Sequence, residues 1–338
     1  KSCKMIKKAN QYGGNMEKIR MQSVNLQKAN AVMAEVKKAV IGKDTCILKV
    51  MAAMIAGGHI LLDDIPGVGK TTMALAFSKA MDLKQNRVQF TPDILPADIV
   101  GFSMYEKSSG KFVYQPGAVM CNLFLADEIN RTSPKTQSAL LEVMEEGSVT
   151  VDGITKPVPN PFIVLATQNP VGSAGTQMLP ESQVDRFMIC LTMGYPNPED
   201  EIAILKGKSA GDPLNDVMKV MDAASLLEAR REAEQIYVHN AIYKYMVRLV
   251  NRTRNNDMIE LGISPRGTVA LAAMAKSCAW LRGRKFVYPD DVADIFYDVA
   301  IHRIRLNAKA RINHVTAEGL IEQIINETER PTVRRKNV

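Results

Sequence analysis

The chain contains no CxxC pair and no HExxH helix, and its four histidines, His59, His239, His302 and His314, stand far apart. That argues against the common zinc frameworks. Its five cysteines, Cys3, Cys46, Cys121, Cys190 and Cys278, are odd in number and widely separated. They read as buried small hydrophobes in a reducing compartment, and the expected location is the cytoplasm. Long hydrophobic runs are also missing. The longest apolar stretch, Cys46 to Leu62, is interrupted by Lys49, Gly57 and Gly58 and falls short of the roughly 20 residues that a membrane span needs. Lysines open the chain with no apolar run behind them, so residues 1–23 read as a ragged basic extension and not as a secretory signal.

What is present is ample material for a core. A 46% hydrophobic content over 338 residues fits one large domain and a smaller one. Lysine and arginine number 43 against 36 acidic residues, a net charge of +7, concentrated partly in the first twenty residues and at Arg330 to Lys336. Such a balance permits nucleic-acid contact, but solvated tails explain it more simply.

Helical periodicity covers Val24 to Val40 and Thr45 to Ile55. The pattern then changes to short apolar runs closed by turn residues, as buried parallel strands require: His59 to Asp63, a stretch near Val88, Asn122 to Asp127, Phe162 to Thr167 and Phe187 to Leu191. Helices separate them, among them Thr71 to Met81 and Pro134 to just before Gly147. The alternation predicts an α/β fold with a parallel sheet flanked by helices. Two hairpins interrupt it, near Ser103 to Tyr114 and Ser148 to Val158, the second marked by the Asp152-Gly153 turn pair. The predicted α/β domain spans residues 24–195. After the two prolines of PNPED, residues 199–326 read as a helical lid, with helices at Glu199 to Lys206, Ala223 to Gln235, Asn240 to Asn251, Pro265 to Leu281 and Pro289 to Arg305. A basic tail, 327–338, follows.

Three strings carry chemistry. DDIPGVGKTT, Asp63 to Thr72, ends a strand and opens a helix, the context a phosphate-binding loop requires. Pro66, Gly67, Val68, Gly69, Lys70, Thr71 and Thr72 would form the loop and helix start. There the glycines turn backbone N–H groups toward phosphate, Lys70 meets the β- and γ-phosphates and the Thr71 hydroxyl binds magnesium. The usual loop begins with a further glycine where this chain has Asp64. In LFLADEIN a buried strand ends in two acids, Asp127 to hold magnesium through water and Glu128 to polarise the attacking water. ATQNP closes the fourth strand, and Asn169 would orient water between Glu128 and the γ-phosphate.

These residues resemble the AAA+ superfamily and, within it, the MoxR family. AVIGKDTCI, DDIPGVGKTT, FTPDILPADIVG, LADEINRTSPKTQSALLEVMEEGSVTVDG, ATQNPVGSAGTQMLPESQVDRF, ISPRG and VYPDDV carry the resemblance, in order, from about residue 25 to residue 305. It implies a sheet order of 5-1-4-3-2, a homo-oligomeric ring of six subunits, ATP and Mg2+ as ligands, and ATP sites at subunit interfaces. The two hairpins would be the helix-2 insert and the insert before the first sensor. Val40, Ile41 and Gly42 would line the adenine pocket, Asn169 be the first sensor, Arg186 the arginine finger and Arg266 the second sensor, serving its own subunit or the neighbour's. Two departures stand out: Gly267, where similar proteins often have Ala, and Tyr288, where a capping Ser or Thr is commoner.

The resemblance further implies a motor-chaperone acting on protein clients, often with a von Willebrand factor type A partner. The same engine would serve a nucleic-acid-dependent translocase or a magnesium-chelatase-like subunit that inserts metal into a tetrapyrrole. A nucleotide-sensing switch with little turnover is the remaining alternative.

Overall fold

The structure, a computed structural model, describes residues 23–64, 67–168 and 179–332. Along the chain run α1 (Val24–Ala39), α2 (Asp44–Ile55), β1 (Ile60–Asp63), α3 (Lys70–Ala80), β2 (Gln85–Gln89), α4 (Pro96–Val100), β3 (Gly101–Glu106), β4 (Lys111–Pro116), β5 (Leu123–Asp127), α5 (Pro134–Glu146), β6 (Ser148–Val151), β7 (Ile154–Pro157), β8 (Ile163–Gln168), α6 (Glu181–Val184) and β9 (Ile189–Leu191). The mainly helical part adds α7 (Pro198–Ala210), α8 (Ala223–Glu234), α9 (Asn240–Arg254), β10 (Ile259–Leu261), α10 (Pro265–Leu281), α11 (Pro289–Ala300), β11 (Arg305–Leu306), α12 (Ala308–Ile312) and α13 (Ala317–Glu327).

Five strands form one parallel sheet in the order β2-β5-β8-β1-β9. Counted by their own succession along the chain, that is the expected 5-1-4-3-2. Alternation places successive side chains on opposite faces. Ile60, Leu62, Leu125 and Leu165 join the core beneath α1, α2 and α3, while Leu61, Phe124, Ala126 and Val164 join the core beneath α5. Both faces are covered, which is why the strands read as continuous apolar runs. β3 with β4 and β6 with β7 form antiparallel hairpins. In the second hairpin Asp152 and Gly153 both take positive φ, +51° and +77°, as a two-residue hairpin turn requires.

The helical part departs from expectation at its end. The helix expected to run from Pro289 to Arg305 stops at Ala300, and the chain turns so that β11 pairs antiparallel with β10. The turn lets the Arg303 side chain lie back across the core, where it donates to Asp185 Oδ1 (2.7 Å) and to the carbonyls of Phe187 (2.6 Å) and Met188 (3.1 Å). A helix over Ala317–Glu327 completes the bundle; Gly319 in its first turn weakens its sequence signal. Among the described residues no helix is long and apolar enough to cross a membrane.

The two lid departures have physical reasons. A Cβ on Gly267 would lie 2.5 Å from Ile263 Cγ2 and 2.7 Å from Arg303 Cδ, so the glycine makes room for the buried arginine. Tyr288 gives α11 no side-chain cap. Instead Asp291 reaches back to the Tyr288 amide (2.8 Å), and the Tyr288 ring lies under Arg284, 4.6 Å from its centroid.

Candidate active site

At the C-terminal ends of β1 and β5 the sheet opens onto a cavity of about 350 Å3 lined by Gly67, Gly69, Lys70, Thr71, Thr72, Arg87, Gln89, Asp127 and Glu128. Open parallel sheets bind ligands at that edge. Gly67 and Gly69 have φ of +87° and +96°, and a Cβ on either would meet nothing closer than Met193 Cε at 4.0 Å. Backbone conformation, not crowding, calls for glycine there. Gly69 caps α3 without a side-chain hydrogen bond and no acid stands in the first turn. The helix therefore presents its first amides and positive dipole end to the cavity, which suits phosphate.

Lys70 is buried, and its Nζ donates to the Asp64 carbonyl (2.6 Å). Burial lowers its pKa, opposed by the nearby Asp64, Asp127, Asp63 and Glu128. Asp127, at the end of β5, accepts from Thr167 Oγ1 at Oδ1 (2.6 Å) and from Arg87 Nη2 at Oδ2 (2.7 Å). Glu128 adopts the left-handed region, φ +56° and ψ +49°, a conformation that costs a non-glycine residue on the order of 1 kcal/mol or more. Its amide donates to Thr167 Oγ1 (2.9 Å), and its carboxylate pairs with Arg131 (2.6 Å). One buried hydroxyl thus fixes both acids.

Neither Thr167 nor Arg87 is among the expected site residues. Thr167 left a faint signal, a polar residue inside the apolar strand β8. Arg87 left none, because its place depends on the register that sets Gln89 beside Asp127. Pro66 and Asn169 lie outside the described residues.

Of the three residues expected around adenine, Gly42 lines a second cavity of about 470 Å3, with Lys43, Lys49, Leu191, Thr192, Met193 and Asp298 among its walls. Val40 is buried in the core and Ile41 half-buried, and neither is on that wall.

Arg186 and Arg266 lie elsewhere. Arg186 occupies the turn before β9, donates to the Leu141 carbonyl and stands 3.9 Å from Glu145. Arg266, in the first turn of α10, pairs with the same Glu145 carboxylate. The two expected arginines therefore meet on α5, and neither lines the phosphate cavity of its own chain.

The cavity fits magnesium as part of a nucleotide complex. Thr71 and Asp127, both among the lining residues, carry the hard oxygen donors that magnesium takes. No cluster of three or more His, Cys, Asp or Glu able to hold a metal by itself occurs among the described residues, and magnesium commonly uses one or two protein oxygens together with substrate phosphates.

The family model for the ATPase family associated with various cellular activities matches residues 59–189, and that for the AAA lid domain matches residues 251–324. The chain is 42% identical over 299 residues to the uncharacterized protein YeaC of Bacillus subtilis, covering 88% of this chain and 93% of that one. It is 37% identical over 308 residues to Chaperone MoxR1 of Mycobacterium tuberculosis, covering 88% and 81%. A crystal structure from Cytophaga hutchinsonii matches with a TM-score of 0.84 and 37% identity, over 91% of this chain and 96% of that one. Sheet order, phosphate loop and helical lid define the class as AAA+ ATPase. Within that class, the chain belongs to the MoxR family.

Proposed function

We propose that the protein binds ATP with magnesium in the phosphate cavity and hydrolyses it as a subunit of a homo-oligomeric ring. The observation that carries this reading is the convergence of Lys70, Thr71, Asp127 and Glu128 on one cavity beside an uncapped helix start. Lys70 and the first amides of α3 hold the phosphates, and Thr71 and Asp127 hold magnesium. When bound, magnesium neutralises charge on the phosphate oxygens. Glu128 takes a proton from the attacking water, and Thr167 keeps Asp127 and Glu128 in place. Asn169, by the resemblance, orients that water.

Arg186 and Arg266 act on the neighbouring subunit's nucleotide in this reading. Their meeting at Glu145, apart from the residues that line their own phosphate cavity, supports it. The role downstream is remodelling of protein clients with a von Willebrand factor type A partner. A relative named as a chaperone supports the client role.

Two variants test the chemistry. Lys70→Ala removes the charge that meets the phosphates and should weaken ATP binding at least tenfold by calorimetry. Glu128→Gln keeps the shape but not the base, so ATP should bind while turnover falls about 10²-fold or more. Undiminished turnover in Glu128→Gln would remove Glu128 from the reaction, and unchanged affinity in Lys70→Ala would remove the loop.

A further inference from the structure

Asp64 stands at the head of the phosphate loop, where most such loops have glycine. A carboxylate facing a triphosphate would repel it. Here the charge is directed elsewhere: Asp64 is buried, and its Oδ2 accepts from the amides of Met193 (2.5 Å) and Gly194 (2.7 Å). Those residues belong to the strap that leaves β9 and leads into α7, the first helix beyond the sheet. From the other side Lys43 Nζ donates to the carbonyls of Met193 (2.7 Å), Gly194 (2.9 Å) and Tyr195 (3.0 Å). One residue earlier, Thr192 Oγ1 donates to the Asp63 carbonyl (3.2 Å). The strap is thus gripped by an anion on its amides and a cation on its carbonyls, both charge-assisted.

The phosphate site meets this grip at one residue. Lys70 donates to the main-chain oxygen of Asp64, while the side chain of Asp64 holds the strap. Phosphate in the cavity draws on the same Lys70 ammonium, so a change in its contacts is felt where the strap is anchored.

We infer that Asp64 and Lys43 are positioning residues that clasp the Met193–Tyr195 strap and couple occupancy of the phosphate loop to the position of the helical lid. This rests on the ATP reading above. The clasp also explains why an acid is tolerated in the loop, since its charge is spent on two backbone amides and a glycine there would leave them without that acceptor.

The test is energy transfer between dyes on Glu142→Cys in α5 and Glu318→Cys in the lid, both exposed positions. Cys3→Ser serves as background, because the other four native cysteines are buried. Amplitudes are read at saturating ATP, so that altered affinity does not enter, and binding is followed separately with a fluorescent ATP analogue. ATP should change the transfer efficiency in the parent. Asp64→Ala and Lys43→Gln should each lose at least half of that change, and Asp64→Asn, which keeps an oxygen acceptor, should retain more of it than Asp64→Ala. A full-amplitude response in Asp64→Ala or Lys43→Gln overturns the inference, as does a lid in the parent that binds ATP without responding. If Asp64→Ala does not fold, Lys43→Gln decides by the same criterion from the opposite side of the strap. A parent that binds no ATP analogue overturns the nucleotide reading itself, and the binding arm reports that outcome separately.

Discussion

Thr167 is the residue on which the two acids depend most directly. Its hydroxyl donates to Asp127 and accepts from the Glu128 amide, which holds Glu128 in a backbone region that few non-glycine residues enter. Thr167→Val keeps the volume and removes both bonds. A hydrogen bond to a charged group is worth about 1.5–3 kcal/mol, so turnover should fall by about ten- to a hundredfold while ATP binding is kept, as a split of kcat from KM would register. Unaltered kcat would mean that the strand geometry alone places the acids. At this scale the sequence was legible wherever chemistry is local. Gly67, Gly69, Lys70 and Thr71 are neighbours along the chain, as are Asp127 and Glu128. Thr167 and Arg87 reach the same cavity through strand pairing, which no local pattern encodes.

Between elements, the lid is joined to the sheet by a half-buried cluster on the turn before β9. Asp185 accepts from Ser264 Oγ, the N-cap of α10 (2.9 Å), and from Arg303 Nε (2.7 Å), whose side chain is 1% exposed. Asp185→Ala leaves the guanidinium buried beside carbonyls alone. Breaking such a pair costs about 3–5 kcal/mol, and urea unfolding followed by the single tryptophan, Trp280, should register it. Gly267→Ala should cost about 1–3 kcal/mol by forcing a methyl group against Ile263 and Arg303. An unchanged midpoint in that variant would show that the arginine gives way freely. The strand and helix cores were legible because both sheet faces are covered and several helices open on side-chain caps, Ser133 and Ser264 among them. The early end of α11 was not, since it goes with a contact between Arg303 and a turn more than a hundred residues away.

His59, just before β1, adds a pH term at the same scale. Its Nδ1 accepts from the Val164 amide (3.0 Å), so the ring proton sits on Nε2, facing the Met144 carbonyl (3.1 Å). Burial pushes its pKa down to about 4, and loss of solvent around the ring also holds His302, half-buried just after α11 with its Nε2 3.0 Å from the Phe187 carbonyl, well below the ordinary value. A histidine kept neutral in the fold but free to protonate when unfolded stabilises the protein fully above pH ~6.5. That stability is lost as pH falls from there toward 4, because the unfolded chain binds the proton first. Unfolding free energy should therefore drop between pH 7 and 4.5, and His59→Gln should drop by less over the same interval. Equal slopes would remove His59 as a source of the dependence.

For the whole molecule the question is whether one chain completes a neighbour's site. Arg186 and Arg266 come from different parts of the chain, the turn before β9 and the first turn of α10, and they converge on Glu145. Each carries a charge that a transferring phosphoryl group would use, yet neither lines the cavity that holds Lys70 and Glu128. If the arginines serve the adjacent subunit, an intact loop in one chain and intact arginines in the next are sufficient for a working interface. Arg186→Ala should then bind ATP and hydrolyse it poorly, by the roughly 10³ to 10⁵ that arginine fingers contribute in other nucleotide hydrolases. Lys70→Ala should be inactive through lost binding. Mixed together, the two variants should recover part of the activity, because some interfaces pair the loop of the first with the finger of the second, and recovery should rise with protein concentration. Arg266→Ala mixed with Lys70→Ala should behave in the same way if both arginines act together across the interface. Recovery with Arg186→Ala but not with Arg266→Ala would assign the second arginine to its own subunit. No recovery with either, in assemblies demonstrated to be mixed, would confine both to their own chain and leave Glu145 as a structural partner only.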